Sequence, residues 1–166
     1  MGISRDLFLD NIGALGDAFT EYLDSIVAGG SSYALIPEAK ALVDRVIEAD
    51  HLSEGIITGN LGPSALWKLH SVGLPDFAFG VYGHEADHRN DLARLIFPKA
   101  EMYFGNKFFP SDIIIIGDTV NDVICARAIG VQVIIVTTGW NVSKEEFSNF
   151  PPDLLVDSLL DERVLS

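Results

Sequence analysis

Ile113-Ile114-Ile115-Ile116-Gly117-Asp118-Thr119-Val120-Asn121-Asp122 decides how this chain folds. A run of β-branched residues makes a strand buried on both faces of a parallel sheet, and Gly117 is where that strand turns into a helix. Asp118 and Asp122 then stand four positions apart, which puts two carboxylates on one helix face. Like charges so placed repel by about 0.2–0.5 kcal/mol unless a cation lies near them. The hard divalent cation Mg2+ suits such a pair, because it takes oxygen ligands from one or two carboxylates and keeps several waters. The competing reading is a helix cap at Asp118 with Asp122 a solvated helix residue. The decapeptide by itself leaves both open.

Working outward, the same alternation of strand and helix recurs. Gly55-Ile56-Ile57-Thr58-Gly59-Asn60 is a short apolar strand ended by a glycine turn, followed by a helix over 63–72 and a second strand over 77–82. Residues 91–104 have helical periodicity interrupted by Pro98, and they lead to the strand over 112–116. Beyond it come a helix over 120–129 closed by Gly130, a strand over 132–137, a helix starting at Ser143 with Glu146 in the capping-box position, and a last strand over 154–156. Strands of continuous apolar character alternating with helices define an α/β fold with a doubly wound parallel sheet. Before this region, apolar residues recur at three and four over 4–27, with Gly13 and Gly16 as candidate breaks. Gly29-Gly30-Ser31-Ser32 is the best boundary, and Pro37 opens a helix ending near Asp50. The expected division is therefore 1–32 and 33–166.

At 166 residues, with 24 acidic and 11 basic side chains, the chain is one domain, or one domain plus a fragment, with a formal charge of -13. That charge repels nucleic acid and anionic membrane, so neither is an expected partner. The single cysteine, Cys125, excludes an internal disulfide and fits a reducing, cytoplasmic setting, and no apolar run reaches the length of a membrane span.

In a parallel sheet, ligands bind beyond the carboxyl ends of the strands. Three such ends carry chemistry here. Thr58, Gly59 and Asn60 offer a hydroxyl and free backbone N–H groups suited to phosphate oxygens. Arg89, in the loop after the second strand, is a permanent cation for an anionic substrate or for a carboxylate. Gly117 and Asp118 end the third. Each has a bland alternative: a ligand-free cap, a solvated arginine, a helix cap. His84 and His88, with Glu85 and Asp87, read more readily as a polar loop than as a metal site. Lys99, within a helix, is the rival cation. Taken together, a phosphate seat, a cation and an acidic metal motif on successive strand ends are the parts needed for phosphoryl transfer.

On these residues the chain resembles the haloacid dehalogenase-like (HAD) hydrolase superfamily, and within it the phosphoglycolate-phosphatase-like enzymes with a helical cap. Residues 55–60 are similar to that family's second motif and residues 114–122 to its fourth, and the likeness runs from about Pro37 to the end. The resemblance implies a Rossmannoid core and a Mg2+-dependent hydrolysis of a small phosphorylated metabolite through an aspartyl phosphate. It implies that Thr58 holds the phosphoryl group, that Asp118 ligates Mg2+, and that Asp122 ligates or orients a metal-bound water, with Asn121 supporting. The third motif falls on Arg89 by location or on Lys99 by residue type, with Arg89 preferred. Residues 4–27 would then be helices of the cap.

The family's first motif, an Asp-x-Asp ending the first strand, occurs nowhere in the chain, and no strand-like run precedes Gly55. The resemblance places that first core strand between the strands ending at Thr58 and Asp118, so the expected core lacks one strand there. Two readings follow. The chain is an N-terminally truncated enzyme without its nucleophile and inactive alone, or it is a non-catalytic binding or interaction protein of the same fold. A phosphoacceptor receiver domain is disfavoured because its acidic pair and Thr come in the opposite order. Apolar surface left around the open sheet position is expected to favour self-association.

Overall fold

The computed structural model describes residues 4–30, 34–36, 38–138 and 143–165, so Pro37 and the Ser31-Ser32 part of the expected boundary lie outside the described residues. The elements are α1 (Arg5–Asp10), α2 (Ile12–Ala28), α3 (Ala39–Glu48), β1 (Gly55–Thr58), α4 (Gly62–Ser71), β2 (Phe79–Tyr82), α5 (Arg89–Arg94), α6 (Ile96–Phe104), β3 (Ile114–Gly117), α7 (Val120–Ile129), β4 (Gln132–Val136) and β5 (Leu154–Val156). Every ladder is parallel. β1 pairs only with β2, whereas β3, β4 and β5 form a second sheet in that order. The parallel sheet is divided between β1 and β3, where the expected core lacks a strand, and among the described residues no strand precedes β1.

Alternate side chains of the second sheet feed two apolar layers, as a doubly wound sheet requires. Ile115, Val133 and Ile135 join Val123 and Ala126 of α7, Leu92 and Ala93 of α5, and Val81 of β2 in one cluster. On the other face Ile134, Val136 and Val156 pack with Leu42 of α3 and with Leu159 and Val164. Because the first cluster contains both Val81 and Ile115, it is the layer of α5, α6 and α7 that holds the two sheets together across the division. The sequence predicts burial of both faces of β3, but Ile114 and Ile116 remain 48% and 38% exposed. The reason is position: β3 is an edge, and α3 buries the next strand more fully than this one.

Local differences from the sequence reading have local causes. The N-terminal helix breaks at Asn11 rather than at a glycine; the Asn11 amide nitrogen Nδ2 donates to Leu7 O at 2.8 Å and closes α1. The helical stretch expected from 91 begins at Arg89 and divides at Leu95, so Arg89 is a first-turn helix residue rather than a loop residue. Pro98 sits in the first turn of α6, where a missing N–H costs little. Residues 144–148 form a 3-10 helix in which Ser143 Oγ accepts from Glu145 N, not the α-helical start expected there.

α2 lies along α4. Gly16 is buried against Pro63, Trp67 Nε1 donates to Asp24 Oδ1 at 2.8 Å, and Arg5 of α1 pairs with Asp87 in the loop after β2. A Cβ on Gly16 would come within 2.6 Å of the Pro63 ring, whereas one on Gly13, in the same helix, would meet nothing within 4 Å. Gly13→Ala should therefore raise stability by roughly 0.5–1 kcal/mol through helix propensity. Gly16→Val should lower it by about 1–3 kcal/mol through overpacking. Urea midpoints of the two variants check the opposite signs.

Candidate active site

The carboxyl ends of β1 and β3 open into one cavity of about 730 Å³, whose lining includes Thr58, Gly59, Asn60, Arg89, Asp118 and Asp122. The structure brings together the residues singled out in the sequence. A Cβ on Gly59 would lie 3.7 Å from Arg89 Nη1, so the guanidinium reaches from the start of α5 to the turn after β1. No residue of α1 or α2 lines this cavity.

Thr58 is held at the end of β1 by the turn that follows. Its Oγ1 accepts from Asn60 N at 3.1 Å and from Asn60 Nδ2 at 2.8 Å, while Lys68 Nζ of α4 donates to Asn60 Oδ1 at 2.9 Å. With both of its acceptor positions used, the Thr58 hydroxyl keeps its hydrogen for a further acceptor. Sequence spacing alone gave no sign of Lys68, because its link to Asn60 crosses a turn that no periodicity describes.

The start of α7 gives the two aspartates different surroundings and corrects the reading that placed the helix cap at Asp118 with Asp122 solvated. The N-cap is Thr119, and Asp122 is the capping-box residue three places on. Asp122 Oδ2 accepts from Thr119 N at 3.0 Å, Thr119 Oγ1 at 2.7 Å and Asp118 N at 3.3 Å. Its Oδ1 accepts from Arg89 Nη2 at 2.7 Å. Asp122 is therefore neither a solvated helix residue nor free to face outward: its side chain is 13% exposed and both oxygens are engaged. A Cβ at position 117 would lie 2.5 Å from Asp122 Cγ, which is why the strand must end in glycine.

Asp118 sits just outside the helix. Burial pushes its carboxyl above the ordinary value, the Asp122 charge adds to the shift, and a hydrogen bond from its own backbone amide only partly offsets them. Around Arg89, burial opposes the charged form, but the Asp122 carboxylate outweighs it and holds the guanidinium above its usual value. Arg89 Nε is buried and, among the described residues, bonds to nothing. Cys125, buried on α7, makes a long Sγ contact of 3.8 Å to Arg89 O beneath it.

Lys99 takes no part in this cavity. Its Nζ donates to Gly80 O at 2.6 Å and to Glu85 Oε2 at 2.7 Å, and lies 5.6 Å from the centre of the Tyr82 ring, pinning the loop after β2 to its strand. Glu85 is occupied by that contact and by Tyr82 N, and Asp87 by Arg5. Among the described residues no group of three or more His, Cys, Asp or Glu side chains is placed to hold a metal.

The fold and this rim define a class. Residues 88–162, which contain Arg89, Asp118 and Asp122, match a family profile described as HAD-hydrolase-like. Three solved structures share the fold. A haloacid dehalogenase-like hydrolase assigned in Bacteroides fragilis is 24% identical with a TM-score of 0.62, the match covering 75% of this chain and 58% of that one. A phosphoglycolate phosphatase assigned in Haemophilus somnus 129pt is 21% identical with a TM-score of 0.62, covering 75% and 54%. A phosphatase assigned in Clostridium difficile is 16% identical with a TM-score of 0.58, covering 79% and 60%. The match thus spans less than two thirds of each of these proteins. No curated protein matches the sequence significantly. The chain has the fold of these proteins, and the family profile matches its residues 88–162.

Asp118 binds its proton more tightly in the fold than in the unfolded chain, so its ionisation removes stability as pH rises through the carboxylate range. Asp118→Asn should raise the denaturation midpoint at pH 7 and bring no gain well below 3.8, the ordinary Asp value, where both states are protonated. Urea unfolding at the two pH values measures the difference.

Proposed function

We propose that these residues form the phosphate- and metal-binding part of a HAD-type phosphomonoesterase acting on a small phosphorylated metabolite. The observation that carries the reading is the convergence of Thr58, Arg89 and Asp118 on one cavity at the strand ends. Thr58 supplies a hydroxyl hydrogen, with Gly59 and Asn60 shaping the turn that holds it. Arg89 supplies positive charge beside the turn after β1. Asp118 is the residue that fits direct Mg2+ ligation, because its carboxylate is partly buried, faces another negative charge and, among the described residues, has no cationic partner. Asp122, with both oxygens engaged, orients the Asp118 backbone and Arg89 rather than ligating directly. Mg2+ at this point would neutralise charge on phosphoryl oxygens.

The covalent chemistry of such an enzyme needs a carboxylate nucleophile, and the 166 residues contain no Asp-x-Asp. We therefore assign the nucleophile to a segment outside this sequence. Residues 1–32 are assigned to the cap, residues 33–166 to the core, and the setting to the cytoplasm. The second reading, a non-catalytic binding module, is favoured by the same lack of Asp-x-Asp.

The pure chain should not hydrolyse p-nitrophenyl phosphate at a measurable rate. Millimolar Mg2+ should nevertheless raise the thermal midpoint of the wild-type chain and leave that of Asp118→Ala unchanged. Turnover abolished by Asp118→Ala would overturn the nucleophile assignment, and a Mg2+-independent midpoint would overturn the metal site.

A further inference from the structure

The direction in which Thr58 offers its hydrogen is set by a residue that is not part of the cavity wall. A hydroxyl has one hydrogen to give and two lone pairs with which to accept, and both lone pairs of Thr58 Oγ1 are taken, by Asn60 N and Asn60 Nδ2. The backbone donor is fixed by the turn. The side-chain donor is not, because an amide presents nitrogen or oxygen according to a half-turn about its last torsion. With Nδ2 toward Thr58 the hydroxyl accepts; with Oδ1 there instead, the hydroxyl would give its hydrogen to Asn60 and keep none for a ligand. Lys68 of α4 selects between the two. Its ammonium carries three donors and no acceptor, so the amide atom that faces it must be the oxygen, and Nζ meets Asn60 Oδ1 at 2.9 Å. Both bonds of this relay are partly buried, and the one from Lys68 is charge-assisted, the stronger kind. Lys68 does not line the rim cavity, whereas Thr58 and Asn60 do.

We propose that Lys68 is a positioning residue of the phosphate seat: it locks the Asn60 amide so that Thr58 can only donate, and the seat therefore takes a ligand oxygen that accepts, as an ionised phosphate oxygen does. The inference rests on the reading of Thr58 as a phosphate-binding group. Lys68 acts by fixing the direction of a hydrogen bond and not by attracting the anion, which separates its work from that of Arg89. Remove the ammonium and the amide is free to turn over, so the hydroxyl loses its hydrogen to Asn60 although Thr58 itself is untouched.

The test is a double-mutant cycle with inorganic phosphate as the probe, its binding to the 166-residue chain in the presence of Mg2+ followed by amide shifts in 1H–15N spectra. Thr58→Val and Lys68→Met should each weaken phosphate binding by about tenfold, the scale of one hydrogen bond to a charged group. Methionine matches lysine closely in helix propensity, so α4 is kept. Once the hydroxyl is gone Lys68 has nothing to direct, and adding Lys68→Met to Thr58→Val should cost about twofold at most. A lysine that only attracted the anion would cost the same factor in both backgrounds, and that additivity would overturn the proposal. A second readout needs no anion. In the phosphate-free chain the Asn60 side-chain amide resonances should move on Lys68→Met, while Lys68→Arg, which keeps donors and no acceptor before Oδ1, should hold them near their wild-type positions. Asn60 resonances unmoved by Lys68→Met would overturn the lock even where phosphate binds. Resonances that respond to Lys68 in a chain that binds no phosphate would instead overturn the phosphate reading, and with it the role given to the lock.

Discussion

Asp122 Oδ2 gathers the amides of Asp118 and Thr119 and the Thr119 hydroxyl, while Oδ1 takes the Arg89 guanidinium. This one carboxylate caps α7, fixes the exit of β3 through Gly117, and ties the start of α5 to the start of α7 across 33 residues of sequence. The helices it joins are the ones whose apolar faces span both sheets. Capping is worth about 1 kcal/mol and a partly buried charge pair more than an exposed one, so the rim's polar geometry and the fold's cohesion draw on the same contacts. Asp118 has no such partner among the described residues and stands at the edge of this network, raised in pKa by burial and by Asp122. A group that destabilises the fold it sits in, beside a cavity that also holds a hydroxyl and a cation, is the usual mark of a site kept for binding.

Much of this was legible in the sequence because it is local. The four-isoleucine run, Gly117, Gly130 at φ 74° and the α7 span of 120–129 are read from periodicity and turn chemistry, and they match. The convergence of Thr58, Arg89 and Asp118 was also legible, since parallel topology alone puts their strand ends on one side. What could not be read depended on contacts across the chain. Whether Arg89 or Lys99 faces the cavity is decided by the pairing of Lys99 with Gly80 and Glu85, which no spacing reveals. The cap of α7 falls on Thr119 with Asp122 rather than on Asp118, a competition between neighbouring residues that propensities do not resolve. The division of the sheet was foreseen only through resemblance, and the half-exposure of Ile114 and Ile116 is its direct result.

The similarity to known structures has the same limits as the chain. The match covers little more than half of each relative and stays below 25% identity, so it establishes the fold. The family profile adds the residues from 88 onward, where the cation and both aspartates lie, and leaves β1 with Thr58 to be supported by geometry. Within that geometry, the hydroxyl of Thr58 is oriented by Asn60 and, through it, by Lys68, so its position is fixed from α4 as well as from its own strand.

α4 has a second attachment. Trp67, one residue before Lys68, bonds through its indole to Asp24 of α2. Indole emission shifts with the charge and solvent around the ring, so Trp67 is a built-in optical probe of whether the N-terminal helices stay seated on the helix that steadies the rim. The chain's other tryptophan, Trp140, can be replaced by phenylalanine to leave a single emitter. Ligand entering the cavity beside Thr58 would then report its effect on α2 as a change of colour, with no label added.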